Sequence, residues 1–407
     1  MIQQPIYLDY NATTPMDPRV LEAMIPWFLA PSNAGSRTHI YGQRAKDAVE
    51  KARKQIADLI DAKPEEIFFT SGATESNNIA ILGLQQYAER TGRKHIISTT
   101  IEHKAVLEPL ERMKSLGFDV ELAPVTRGGY VEPETIQKML RPDTLLVTVM
   151  HANNETGVLQ PVQEIAEIIA SSTRSSKDSI PSLFHTDAAQ TFGKEVDALK
   201  FLGCDMLSIS GHKIAGPQGI GALYVRRHGA LKRPVEALMY GGGQERALRP
   251  GTVPVALAVG LGEAARLASL EWKKRRSTAE ETRTLFLETL KDFEHTINGD
   301  QARSLPHVVN VSVHGVESEA LMMATVDAMA ISNGSACTTS SYRPSHVLQA
   351  MGLVEDAIAS AIRVSWGTET KRIPTEALAT VIGSLRVCWP TDESDSANRS
   401  LTERALQ

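Results

Sequence analysis

Between Glu66 and Val225 the chain alternates short apolar runs with amphipathic segments of helix length. The runs are Ile67 to Thr70, His95 to Thr99, Asp119 to Ala123, Leu145 to Met150, Leu183 to Thr186, Asp205 to Ser210 and Gly221 to Val225. Seven strands with intervening helices predict an α/β fold built on a mostly parallel sheet, because parallel neighbours need a crossover long enough to hold a helix. In such sheets ligands gather beyond the carboxyl ends of the strands. Residues that directly follow an apolar run therefore carry the most weight.

Beyond Gly241-Gly242-Gly243 the pattern changes. A long helical stretch begins near Val255, and further strands at Val308 to Val313 and Ala328 to Ile331 predict a smaller α+β unit. The expected division is a large domain over 16–260, a small one formed by 1–15 and 261–389, and a mobile tail over 390–407, whose start is a polar run after Pro390. Ser171 to Ser179 is polar and low in complexity and reads as an exposed loop.

A chain of 407 residues can bury a large core. Its formal charge of −5, with signs interspersed, gives no reason to expect nucleic acid or a membrane surface as a direct partner. The first residues lack a basic and then apolar leader, and the longest apolar stretch, Val253 to Gly262, is too short to span a bilayer. A cytoplasmic protein is expected. Three cysteines, Cys204, Cys337 and Cys388, make neither a disulfide framework nor a metal-ligand spacing. Cys204 and Cys388 sit in apolar patterns and read as packing residues.

Ser208-Ile209-Ser210-Gly211-His212-Lys213 ends one strand with a lysine beside hydroxyl and imidazole groups. A lysine that condenses with an aldehyde needs a partly desolvated pocket, and the neighbouring donors suit an anionic phosphate; a surface lysine after a strand is the alternative. Phe184-His185-Thr186-Asp187-Ala188-Ala189-Gln190 ends another strand. Asp187 suits a protonated pyridine nitrogen, as in pyridoxal phosphate enzymes, although an aspartate there also suits a helix cap. Gln190 would share its face if the chain turned helical.

Thr70-Ser71-Gly72-Ala73-Thr74-Glu75-Ser76-Asn77 follows the first strand and opens a helix, so Gly72, Ala73 and Thr74 would form a phosphate cup or an ordinary capped turn. His103 opens another helix and is suited to stack on a ring and move protons, or to cap. Asn153 and Asn154 suit ligand contacts or a turn. Cys337, in Gly334-Ser335-Ala336-Cys337-Thr338, lies in a stretch without apolar periodicity, where packing does not explain it. A free thiol is only about 3% thiolate at pH 7, so this one would gain from a proton acceptor, for which His103 is the candidate.

Taken together, Tyr7-Leu8-Asp9-Tyr10-Asn11-Ala12-Thr13-Thr14-Pro15, the Thr70 to Ser76 turn, Glu102-His103-Lys104, Asn153-Asn154-Glu155, Ser210-Gly211-His212-Lys213 and the Cys337 segment resemble the group I cysteine desulfurases. These are the NifS/IscS family of fold-type I pyridoxal phosphate enzymes in the class V aminotransferase superfamily. The resemblance runs through about Gly367. It implies pyridoxal 5′-phosphate on Lys213 as a Schiff base, Asp187 at the ring nitrogen, Gln190 at the ring oxygen and His103 over the ring. Ala73, Thr74, Ser210 and His212 would hold the phosphate, with Thr252 completing the cup of a partner subunit in a homodimer. Arg363, helped by Asn154, would bind the carboxylate of L-cysteine, and Cys337 would collect its sulfur as a persulfide for an acceptor protein, releasing alanine. A selenocysteine lyase or another class V relative is the alternative. The long Ser171 loop, Pro250 in place of a frequent serine, and a tail unlike the scaffold-binding segment of iron–sulfur members depart from the family.

Overall fold

The computed structural model describes residues 4–174, 182–227, 233–334, 344–370 and 372–387. In chain order its strands are β1 (Ile6–Tyr7), β2 (Ile67–Thr70), β3 (His95–Thr99), β4 (Asp119–Ala123), β5 (Thr144–Thr148), β6 (Leu183–Asp187), β7 (Met206–Ser210), β8 (Gly221–Val225), β9 (His295–Ile297), β10 (Val308–Val313), β11 (Met329–Ala330) and β12 (Ala361–Ser365). Seven form one sheet in the order β2-β8-β7-β6-β5-β3-β4, in which β8 runs against both neighbours and the other pairs are parallel. That is the sheet the seven apolar runs predict.

Apart from the half-exposed edge strand β4, both faces of this sheet are buried, so its strands read as mostly apolar runs. Adjacent residues feed opposite cores. Phe69, Ile97, Phe184 and Leu207 join one cluster, with the helices Ile40–Leu59 and Val255–Thr289, while Phe68, Ile96, Leu183 and Met206 join the other, with the helices Ala73–Leu82 and Lys104–Ser115. A separate antiparallel sheet, β12-β10-β9, builds a third core in which Val309, Val311, Ile362 and Val364 meet Phe286 and Ala279 of the long helix. The 35-residue helix Val255–Thr289 thus supplies side chains to two cores.

Several boundaries differ from expectation. β5 ends at Thr148 because the Met150 N–H is taken by the Glu102 carboxyl, at 3.0 Å, instead of a neighbouring strand. Ser171 to Arg174, expected in a loop, finish the helix Val162–Arg174. The Ser171 and Ser172 hydroxyls donate back to the carbonyls of Ile168 and Ile169, which lets polar residues sit in a final turn. The expected strand at Ala328 to Ile331 is only β11, paired in parallel with β1. Cys388, Trp389 and the expected tail lie outside the described residues. Among the described residues no helix is long and apolar enough to cross a membrane.

Candidate active site

Four connections leave the sheet on one side and carry the chemistry: the Gly72 turn after β2, His103 after β3, Asp187 at the end of β6, and Ser210 to Lys213 after β7. All of them line one cavity of about 560 Å³, together with Asn11, Asn77, Asn154, Gln190 and Arg363. Gly72 adopts φ 157°, and a Cβ on Gly221 would come within 2.6 Å of Gly72 Cα and 2.3 Å of the Ile209 carbonyl oxygen. Two glycines therefore let β2 and β8 close beneath the start of the helix Ala73–Leu82, whose first N–H groups have no partner within the helix. Ala73, Thr74, Ser210 and His212 surround that end of the cavity.

Asp187 is 6% exposed. Its carboxylate accepts from Asn77 Nδ2 at 2.7 Å and from the Ala189 N–H at 2.9 Å. Beneath it, His185 is fully buried, and burial pushes its imidazole down to about 3. As a neutral ring it links Thr148 and Ser208, at 2.8 and 3.0 Å, and so ties β5, β6 and β7 together behind the carboxylate. Lys213 follows on a tight turn, Gly211–Lys213, and its amine donates to the carbonyls of Asn11 and, at 2.8 Å, Ala12.

The two site histidines are held neutral. Burial, with the charges of Lys213 and Lys194, lowers His212 to about 4, and its Nδ1 meets Thr13 Oγ1 at 3.1 Å. His103 is likewise lowered, first by burial and then by Lys213, although Asp187 opposes the shift. It caps its own helix: Nδ1 accepts the Ala105 N–H at 3.1 Å, so the neutral ring carries its proton on Nε2. Next to it, burial raises the Glu102 carboxyl to about 8, so this group is protonated at neutral pH.

Arg363 on β12 reaches the cavity from the other sheet. Nη2 pairs with Asp9 at 2.6 Å and Nη1 donates to the Asn154 carbonyl at 3.0 Å, which leaves Nε buried without a partner. Among the described residues, Asn11 Oδ1, Asn77 Oδ1 and Gln190 Oε1 are also buried without partners, as is Arg363 Nε. Four orphaned polar atoms around one cavity mark it as built to receive a polar ligand.

The expected residues Ala73, Thr74, His103, Asn154, Asp187, Gln190, Ser210, His212, Lys213 and Arg363 are brought together here. Gln190 lies on a turn, not a helix, and donates to the Asn11 carbonyl at 3.1 Å. Asn153 proves to be a turn residue whose side chain accepts from the N–H groups of Glu155 and Thr156. Thr252 is exposed and does not line this cavity. It follows a backbone run, Glu245 to Ala247, in which three non-glycine residues take positive φ, held by the buried Arg53–Glu245 pair at 2.7 Å. Cys337 lies outside the described residues. The segment that carries it leaves from Gly334, which lines the cavity, and returns at Ser345, whose hydroxyl donates to Glu155 at 2.5 Å. Asp9, Asn11 and Asn77 were not singled out from the sequence, because their roles depend on contacts more than 100 residues away.

The aminotransferase class-V family model matches residues 6–374. The chain belongs to that family. Among its class-V relatives, cysteine desulfurase IscS of Vibrio vulnificus is 45% identical over 370 residues, covering 90% of this chain and 89% of the relative. The crystal structure of DndA from Streptomyces lividans superposes with a TM-score of 0.76 at 47% identity, over 88% of this chain and 98% of that one. SspA in complex with cysteine superposes at 0.77 with 37% identity, over the same shares. The fold is thus that of fold-type I class-V enzymes, with the cavity at the carboxyl ends of its parallel strands.

Proposed function

We propose that this chain is a pyridoxal 5′-phosphate-dependent cysteine desulfurase that converts L-cysteine to L-alanine and passes the sulfur through Cys337 to an acceptor protein. The observation that carries the reading is the convergence of Lys213, Asp187 and His103 on one cavity of a class-V chain 45% identical to a cysteine desulfurase. The glycine-lined turn and the orphaned polar atoms support the fit of the cofactor.

When bound, the cofactor supplies an electron-withdrawing ring that draws charge from the substrate carbons. Lys213 would anchor it through its amine. Asp187, which Asn77 and Ala189 keep aligned, would keep the ring nitrogen protonated. Gln190 would contact the ring oxygen and His103 would stack on the ring. Ala73 and Thr74, with Ser210 and His212, receive the phosphate at the helix N-terminus. Thr252 of the partner subunit completes that cup in a homodimer. Exposed apolar side chains support the dimer: Leu21, Ile25, Phe28 and Leu29 on one helix, and Tyr240, 87% exposed, ahead of the Thr252 segment.

Arg363 and Asn154 receive the substrate carboxylate, a role suited to the unpartnered Nε of Arg363. His103 holds a proton on Nε2 that it can deliver to the product; with Nδ1 taken by the Ala105 N–H, it could accept the Cys337 proton, the role expected from the sequence, only after that delivery. The Cys337 thiolate takes the substrate sulfur, forming an S–S bond as the C–S bond breaks. Residues 16–260 act as the cofactor-binding domain, while 1–15 and 261–389 carry the Cys337 segment. The enzyme works in the cytoplasm, and its acceptor serves iron–sulfur assembly, tRNA thiolation or DNA phosphorothioation. Labelled sulfur chased from Cys337 identifies that acceptor. Borohydride reduction of the cofactor-loaded protein should tag Lys213, and Cys337→Ala should keep the yellow colour but release no sulfur. A tag elsewhere, or full turnover by that variant, overturns the reading.

A further inference from the structure

Behind Lys213 lies a second cavity, of about 110 Å³, walled by Tyr10, Trp272, Trp366, Lys194 and His307. Lys213 lines both this cavity and the larger one, so it forms part of the partition between them. Lys194 Nζ stands 3.1 Å from His307 Nε2. Burial, together with the cations around it, holds His307 well below its ordinary range, so the imidazole is neutral and accepts from the amine. The neighbouring carboxylate, Glu195, is already engaged by Arg276 at 2.5 Å. Among the described residues no carboxylate pairs directly with Lys194, although Glu195 and Glu369 also line this cavity, which abuts the cofactor lysine.

We propose that Lys194 is a positioning residue for Lys213: its charge, held on a partly buried lysine–histidine pair behind the cofactor site, sets how readily the Lys213 nitrogen carries a proton. This rests on the cofactor assignment proposed above. A like charge nearby is a general way to keep an amine neutral and nucleophilic at physiological pH. The coupling is mutual, since burial and then Lys213 lower the Lys194 amine to about 7, against a smaller opposing effect of Glu195. Lys194 thus changes charge within the working pH range. The titratable and charged groups around this pair are His307, Glu195, Arg275, Arg276, Glu369 and Tyr10 at the smaller cavity, and His212, His103, Asp187, Asp9, Glu75 and Arg363 at the larger.

The test is a pH titration of the visible absorption of the cofactor-loaded protein without substrate, for the wild type, Lys194→Met, Lys194→Gln and Lys194→Arg. Removing the charge should move the midpoint up by about 0.5 pH unit or more, and the permanent charge of arginine should leave it at or below the wild-type value. A loss of packing alone would move methionine and arginine variants alike. The inference is overturned if a neutral variant titrates within about 0.2 unit of wild type, or if Lys194→Arg titrates above it. Borohydride tagging of Lys213 in each variant separates the two levels of argument. Intact tagging with an unmoved midpoint defeats only the role of Lys194, whereas a wild type that takes up no cofactor defeats both.

Discussion

Replacing Asp187 by asparagine removes one charge and almost no volume. The carboxylate accepts from Asn77 Nδ2 at 2.7 Å and the Ala189 N–H at 2.9 Å. An asparagine keeps the second bond through its oxygen but sets an amide nitrogen against Asn77 Nδ2. Asn77 Oδ1 has no partner among the described residues, so a half-turn of that amide restores the bond, and the fold should lose only about 1 kcal/mol. The chemistry loses more. A buried, preorganised charge aimed at the ring nitrogen is worth about 3–4 kcal/mol, or roughly 10²–10³ in rate. Loss of the same charge also removes a carboxylate that raises the His103 imidazole against the lowering effect of burial, leaving it still harder to protonate. Alanine formation from L-cysteine, measured beside the melting temperature and cofactor content, checks both halves. An Asp187→Asn protein with turnover within about threefold of wild type would refute the assignment of Asp187.

Arg363→Ala should raise KM for cysteine by roughly 10²-fold, because a charged donor to the carboxylate is lost and Asp9 is left without its 2.6 Å pair; Arg363→Lys should recover only part of this in steady-state assays. For Glu102, raised by burial to about 8, the protonated form is favoured in the folded state. Its contribution is therefore fully present below the ordinary carboxylate range and is lost as pH climbs through about 8. Glu102→Gln, which mimics the protonated acid, should raise the melting temperature more at pH near 9 than near 5, by about 2 °C or more in thermal scans. Gly221→Ala places a carbon 2.3 Å from the Ile209 carbonyl and 2.6 Å from Gly72. The protein should lose about 2 kcal/mol or more of stability and bind pyridoxal phosphate poorly in an absorbance titration.

Much of this architecture was legible in the order of residues, for physical reasons that differ from element to element. Six of the seven strands in the large sheet are largely buried and appear as mostly apolar runs, while the edge strand β4 alternates Asp119, Val120, Glu121 and Leu122; the residues that end the buried strands fall at the ligand-binding edge without any knowledge of contacts. Lys213, Asp187 and His103 were found that way. β1 and β9 escaped because strands of two or three residues carry no periodicity of their own, and β12 escaped although it is five residues long. Asn77 and Asp9 escaped for a different reason. Each works by holding another functional side chain, Asp187 and Arg363, across more than a hundred residues of chain, and no local pattern encodes such a partnership. The histidines show the converse: their positions were readable, but their neutrality comes from burial, which only the folded chain reveals.

The helix Val255–Thr289 has a mechanical meaning. At about 1.5 Å per residue its shaft is roughly 50 Å long, and one end is embedded beside the large sheet while the other is clamped under the smaller one. A shaft shared by two cores couples the two sheets to one element, so that Asp187 on one sheet and Arg363 on the other meet at the same cavity on a common frame.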